Sequence, residues 1–205
     1  MDYIKEARRT RSDDYHGESV SFHNFHDCLT SAIKSLRELD QIKKALFYGK
    51  KIEHDRINGD CSLLPAWVAD SDERAIDIMH GIIGKATEAG ELLEALYKCT
   101  IEGEPLDESN TIEEVGDGLW YDALILGALG ASFEDAQRIN ISKLRKRYPD
   151  KFTAERAEHR DIEAEKKVMA DAADYSDDAY SDDAADLAID RKQDLPYING
   201  QSFYD

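Results

Sequence analysis

The sequence predicts an all-α protein: a four-helix-bundle-like core, an extra N-terminal helical segment, and an acidic, disordered C-terminal tail. Three observations lead there. Apolar residues recur at intervals of three and four in successive runs, those runs begin at capping residues and stop at glycine or proline, and the composition changes abruptly after Met169.

Residues 1–17 are charged, mixed in sign and helical at the start, which describes a docking arm or a frayed first helix. Over residues 21–48, Phe25, Leu29, Ile33, Leu36, Leu39, Ile42, Leu46 and Phe47 form an amphipathic stripe. Gly49 closes it, with Lys43, Lys44 and Lys50 near its negative dipole end. Residues 50–71 contain Gly59 and Pro65 and read as a connecting loop, long enough to carry a short element at 63–68.

A second helix is expected from Ser71 or Asp72 to Cys99. It keeps Gly81, Gly84 and Gly90, each costing about 1 kcal/mol against alanine, so another backbone or a ligand should approach it closely. Gly103 and Pro105 punctuate the following turn. A third helix is expected from about Thr111 to Leu129, buried over 119–129, where it is apolar nearly all round. Gly130 stops it. Ser132-Phe133-Glu134-Asp135 has the form of a capping box and opens a fourth helix that runs to Tyr148 and ends at Pro149. Residues 153–169 alternate in charge, as an exposed or clasping helix does. Residues 171–205 hold ten Asp and no Glu against Arg191 and Lys192, so disorder is expected there. The implied division is an N-terminal segment and linker (1–71), a core (72–152), a C-terminal helix (153–170) and the tail (171–205).

Composition narrows the function. A formal charge of −18 in 205 residues argues against a direct nucleic-acid-binding surface, which needs a basic footprint. The first residues form no apolar signal region and no run is long enough to span a membrane, so a cytoplasmic protein is expected. Cys28, Cys61 and Cys99 lack the spacing of a zinc site or disulfide frame and read as reduced packing residues. His23 and His26 near Cys28 lack the second paired motif that zinc requires. An offset of 54 residues matches His26 with His80, Ala32 with Ala86, Leu39 with Leu93, Lys44 with Lys98 and Gly49 with Gly103. If this marks a duplication, the first copy cannot hold a metal, because Lys34 and Arg37 stand where Glu88 and Glu91 do.

Glu88 and Glu91 are three residues apart, as are Glu114 and Asp117, so each pair projects from one side of its helix. Four carboxylates on two antiparallel helices repel one another unless a cation lies between them. Mg²⁺, with Mn²⁺ as the alternative, suits an all-oxygen site. Glu114 and Asp117 share a stripe with Tyr121, Leu124 and Ala128, and acids that continue a buried line are seldom there for solubility. Two alternatives stay open: Thr111 and Glu114 form a possible capping box, and Glu113 is an alternative ligand. The apolar centre of the second helix, around Ile82, Ala86 and Leu93, lies largely opposite Glu88 and Glu91, which by itself favours a solvent-facing pair. On the fourth helix Asn140, Lys143 and Arg147 present one basic face, suited to phosphate oxygens.

The run Thr87-Glu88-Ala89-Gly90-Glu91-Leu92, then Glu113-Glu114-Val115-Gly116-Asp117, Leu119-Trp120-Tyr121 and residues 140–149 resembles the MazG-like branch of the all-α nucleoside triphosphate pyrophosphohydrolases over residues 72–152. With 22 residues between Glu91 and Glu114, the separation is one that family tolerates. The resemblance implies Mg²⁺ held by Glu88, Glu91, Glu114 and Asp117, and hydrolysis of (deoxy)nucleoside triphosphates between the α and β phosphates. It implies Glu91 as proton acceptor, Lys143 and Arg147 on the departing diphosphate, Asn140 on a phosphate or the sugar, and Trp120 or Tyr121 against the base. It also implies a homodimer or homotetramer. The rival expectation is a non-catalytic nucleotide-binding or acidic decoy protein whose tail contacts a basic partner.

Overall fold

The computed structural model describes residues 3–51 and 72–174. The expected element at 63–68, Cys61 and the tail beyond residue 174 lie outside them. The described residues are all helical, with no strand among them. Seven α-helices follow in order: α1 (Tyr3–Arg9), α2 (Phe22–Tyr48), α3 (Glu73–Tyr97), α4 (Glu108–Ala128), α5 (Phe133–Arg147), α6 (Ala154–Glu158) and α7 (Ile162–Asp174).

Local chemistry sets most helix ends. Ser21 caps α2 by accepting from the Asn24 backbone N–H at 3.1 Å, and Gly49 ends it in the left-handed region at φ 63°. Asp72 caps α3, which runs into a π-helical turn (Lys98–Glu102) closed by Gly103 at φ 74°. Ser132 and Asp135 form the expected capping box of α5. The start of α4 differs from expectation. Asp107, rather than Thr111, is the cap, accepting from the Asn110 N–H at 3.0 Å. Thr111 lies inside the helix, with its hydroxyl donating to the Asp107 carbonyl at 2.7 Å. Glu114 therefore sits in the helix interior and is free of a capping role.

Two packing groups result. α3 packs against both α4 and α2, whereas α5 packs against α7 and α1. Small residues on α3 allow its close approach to α4. A Cβ on Gly84 would collide with the Tyr121 ring, and one on Gly81 would stand 2.5 Å from Ile125 Cγ1 and 2.9 Å from the Tyr121 carbonyl oxygen. Gly90 does the same for α2, with Leu36 Cβ at 2.9 Å. The glycines, not Ile82, mark the inner side of α3: Ile82 is 56% exposed. The buried stretch expected at 119–129 is also corrected. Tyr121 is buried, but Leu119, Trp120 and Leu129 are exposed, because only one side of α4 faces α3.

The N-terminal arm docks on α5. Arg9 Nη1 donates to the carbonyls of Tyr148 at 2.9 Å and Asp150 at 2.8 Å, Glu6 pairs with Arg145, and the Tyr3 hydroxyl donates to Asn140 Oδ1 at 3.3 Å. The charged segment 153–169 forms α6 and the first part of α7, and α7 packs against α5. Cys28 is exposed rather than packed, and no helix among the described residues is long and apolar enough to cross a membrane.

Candidate metal centre

The inner sides of α3 and α4 bring acids together. Glu88 and Glu114 are each only 7% exposed. One carboxylate oxygen from each of Glu88, Glu91 and Glu114 lies within 4.8 Å of the other two. The solvent-facing position expected for Glu88 is thus overturned, because its side of α3 is the glycine side that receives α4. Glu91 is exposed at the rim. Asp117 is exposed too and falls outside this three-residue group, although its charge still acts on Glu114.

The electrostatics bear the mark of crowding. Burial, then the charges of Glu91 and Glu88, push the Glu114 carboxyl up to about 7. Glu91 is raised as well, by burial and by Glu88. A protonated Glu114 donates to Glu91, and Asn110 Nδ2 donates to Glu114 Oε1 at 3.2 Å. Three oxygen donors that resist simultaneous ionisation are suited to a hard divalent cation, which supplies the charge they lack.

A cationic side chain stands beside these acids, from an unexpected helix. Lys43 of α2 is 4% exposed. Its Nζ donates to Thr87 Oγ1 at 2.7 Å and to Glu88 Oε1 at 3.1 Å, lies 3.2 Å from Asp40 Oδ1, and stands 5.0 Å from the centroid of the Tyr121 ring. Burial pulls its pKa down, but hydrogen bonds to Tyr121 and Glu88 more than offset this and the net shift is upward. The signal for Lys43 was in the sequence. Leu29, Ile33, Leu36, Asp40, Lys43 and Phe47 continue one stripe at alternating steps of four and three, so a cation prolongs a buried line just as Glu114 does. Its place near the C-terminus of α2 masks that signal, because the helix dipole favours a lysine there in any case.

Beyond Lys43 lies an aromatic cluster. His80 stacks on Phe47 at 4.0 Å between centroids and meets Trp120 and Tyr121 edge-on at 5.9 and 5.6 Å. Burial, with the Lys43 charge, lowers the His80 pKa. Tyr121 is buried against Gly84, its hydroxyl raised to about 12 by burial and by Tyr48, so it offers no stacking face. Trp120 keeps about half its surface exposed at 52%.

No family model matches the chain, and no curated protein or solved structure does. The basic residues of α5 are not in the three-residue group. Arg147 forms a two-point pair with Glu165, Asn140 accepts from Tyr3, and Lys143 has no hydrogen bond or ion pair among the described residues. The reason is that α5 packs on α7 and α1, so its basic face serves the docking arm and clasp. Among the described residues, Glu88, Glu91 and Glu114 are the one group of three or more potential ligands within reach of a single ion, and His23 and His26 lean on Asp27 instead.

Proposed function

We propose that this chain is a metal-dependent hydrolase of (deoxy)nucleoside triphosphates, of the MazG-like type, releasing a nucleoside monophosphate and diphosphate. The observation that carries this reading is the convergence of Glu88, Glu91 and Glu114 oxygens within 4.8 Å of one another. Mg²⁺ is the proposed ion and Mn²⁺ a substitute, with Asp117 contributing charge from the rim. A bound Mg²⁺ would supply Lewis acidity at the α-phosphoryl group and a water of lowered pKa. Glu91, exposed at the edge of the group, is the carboxylate proposed to take that water's proton. Lys43 holds Glu88 in place and sets a positive charge beside the triad, whereas the resemblance assigns Lys143 and Arg147 to the departing diphosphate. Trp120, half exposed beyond Lys43, is the proposed surface for the base.

The decisive assay is diphosphate release from a panel of canonical and modified nucleoside triphosphates, with and without Mg²⁺. Glu91→Gln is expected to lower kcat by at least about 100-fold with no loss of melting temperature. Asp117→Asn, lying outside the close group, should cost only about tenfold. Near-normal turnover in Glu91→Gln would overturn the assignment. A second reading rests on Lys43: its ammonium already satisfies Glu88, so the triad is compatible with a nucleotide-binding protein that performs no chemistry. Nucleotide binding without diphosphate release under any metal would select it.

A further inference from the structure

The acidic triad leaves a second charged cluster, a basic one, without a role. Where the end of α5 meets α6 and the start of α7, Lys146, Arg147, Arg156 and Arg160 line a cavity of about 270 Å³ together with His159, Asp161 and Glu165. Four permanent cations face two carboxylates, and both carboxylates are already engaged. Glu165, 2% exposed, accepts from Arg147 Nε at 2.8 Å and Nη2 at 2.7 Å, and from Arg160 Nη2 at 2.7 Å. Those two guanidinium groups hold its carboxyl down at about 2. Asp161 Oδ1 accepts from the Ala164 backbone N–H at 3.0 Å as the cap of α7.

Neutralising the buried Glu165 requires one guanidinium, yet it receives two, and two more cations stand beside them. Arg156 makes no ion pair among the described residues. Its side chain donates only to the Arg147 carbonyl, at 3.4 Å. Lys146 has neither a hydrogen bond nor an ion pair among them. Like charges gathered around one open cavity repel one another, screened in part by solvent because Lys146, Arg156 and Arg160 are exposed, and the surplus of two lies in a chain whose overall charge is −18. A mobile anion removes the conflict. Arginine forks match the paired oxygens of a phosphate group, and lysine adds a point charge. A volume just below the ~300 Å³ lower end of small-molecule pockets favours a small inorganic anion over a whole nucleotide.

We infer that the cavity between α5, α6 and α7 is a binding site for inorganic phosphate or diphosphate, built on Arg156 and Lys146 and framed by the Arg147–Glu165–Arg160 clamp. This site stands independently of the hydrolase reading, since it uses no residue of the acidic triad. Calorimetric titration of the full chain with diphosphate, and separately with orthophosphate, in excess EDTA at low salt tests it, because phosphate then has no metal through which to reach the triad. One saturable site is expected, and the tighter of the two titrants identifies the ligand. Arg156→Gln and Lys146→Gln, neither of which touches the buried carboxylate, should each weaken binding about tenfold, while Glu91→Gln leaves it unchanged. Lys166→Gln, which removes an equal charge from an exposed position on α7, should also leave it unchanged. Absence of saturable binding would overturn the inference. So would binding that ignores Arg156→Gln and Lys146→Gln, or that falls equally in Lys166→Gln.

Discussion

Glu114 links the acidic centre to solution conditions. Its carboxyl, raised to about 7, keeps its proton in the folded chain at pH values where an unfolded chain has lost it. The folded state therefore binds more protons between the ordinary value of 4.5 and about 7. The associated stability is fully present below 4.5 and is lost as the pH rises through about 7, a change of roughly 3 kcal/mol for a shift of that size. Glu114→Gln, neutral throughout, is expected to match the parent near pH 5 and to exceed it by up to that amount at pH 8 in EDTA. Urea denaturation at both pH values checks this, and a difference independent of pH would contradict it. The two acidic pairs were legible as ligand candidates, but their ranking was not. Burial divided each pair, placing Glu88 and Glu114 inside and leaving Glu91 and Asp117 at the edge.

At the scale of elements, helices whose ends are fixed by local chemistry were readable from sequence. Ser21, Gly49, Asp72, Ser132 and Asp135 act within a few residues of themselves, and the sequence carries all that is needed. The inward side of α3 was not readable by the same means. Hydrophobic periodicity weights Ile82 and gives no weight to glycine, whereas the α3–α4 contact is made by the absence of side chains at Gly81 and Gly84. Gly84→Ala tests this directly. The added methyl meets the Tyr121 ring, itself buried under Lys43, and overpacking of that kind costs about 1–3 kcal/mol. Gly116→Ala on α4, where a Cβ meets nothing within 4 Å, should instead be neutral or slightly stabilising. Equal effects at the two positions in thermal melts would show that the close approach is not what Gly84 provides.

For the whole molecule, the open side of α4 carries the expectation of self-association. Ile112, Val115 and Leu119, spaced three and four apart, are all exposed while the opposite side of the helix packs on α3. An apolar stripe of this kind on an otherwise strongly charged chain marks a contact surface, and a second copy is the proposed occupant. Sedimentation is expected to give a dimer or tetramer of the 23.2 kDa chain, reduced to a monomer by Val115→Lys with Leu119→Lys. A parent that sediments as a monomer at high concentration would remove this reading. The oligomer was implied by the family resemblance, whereas the packing of α5 on α7 and α1 was not foreseeable, because no local pattern records which helices become neighbours. The position of Lys43 has one more consequence for the molecule. Its helix reaches the candidate metal centre from outside the α3–α4 pair, so a divalent ion bound at the triad would share the Glu88 carboxylate with the Lys43 ammonium and repel it. Occupancy of the triad and attachment of α2 would then be reciprocal: an ion that weakens the Lys43–Glu88 pair would loosen α2, and whatever lifts α2 would strengthen the ion's hold by the same factor.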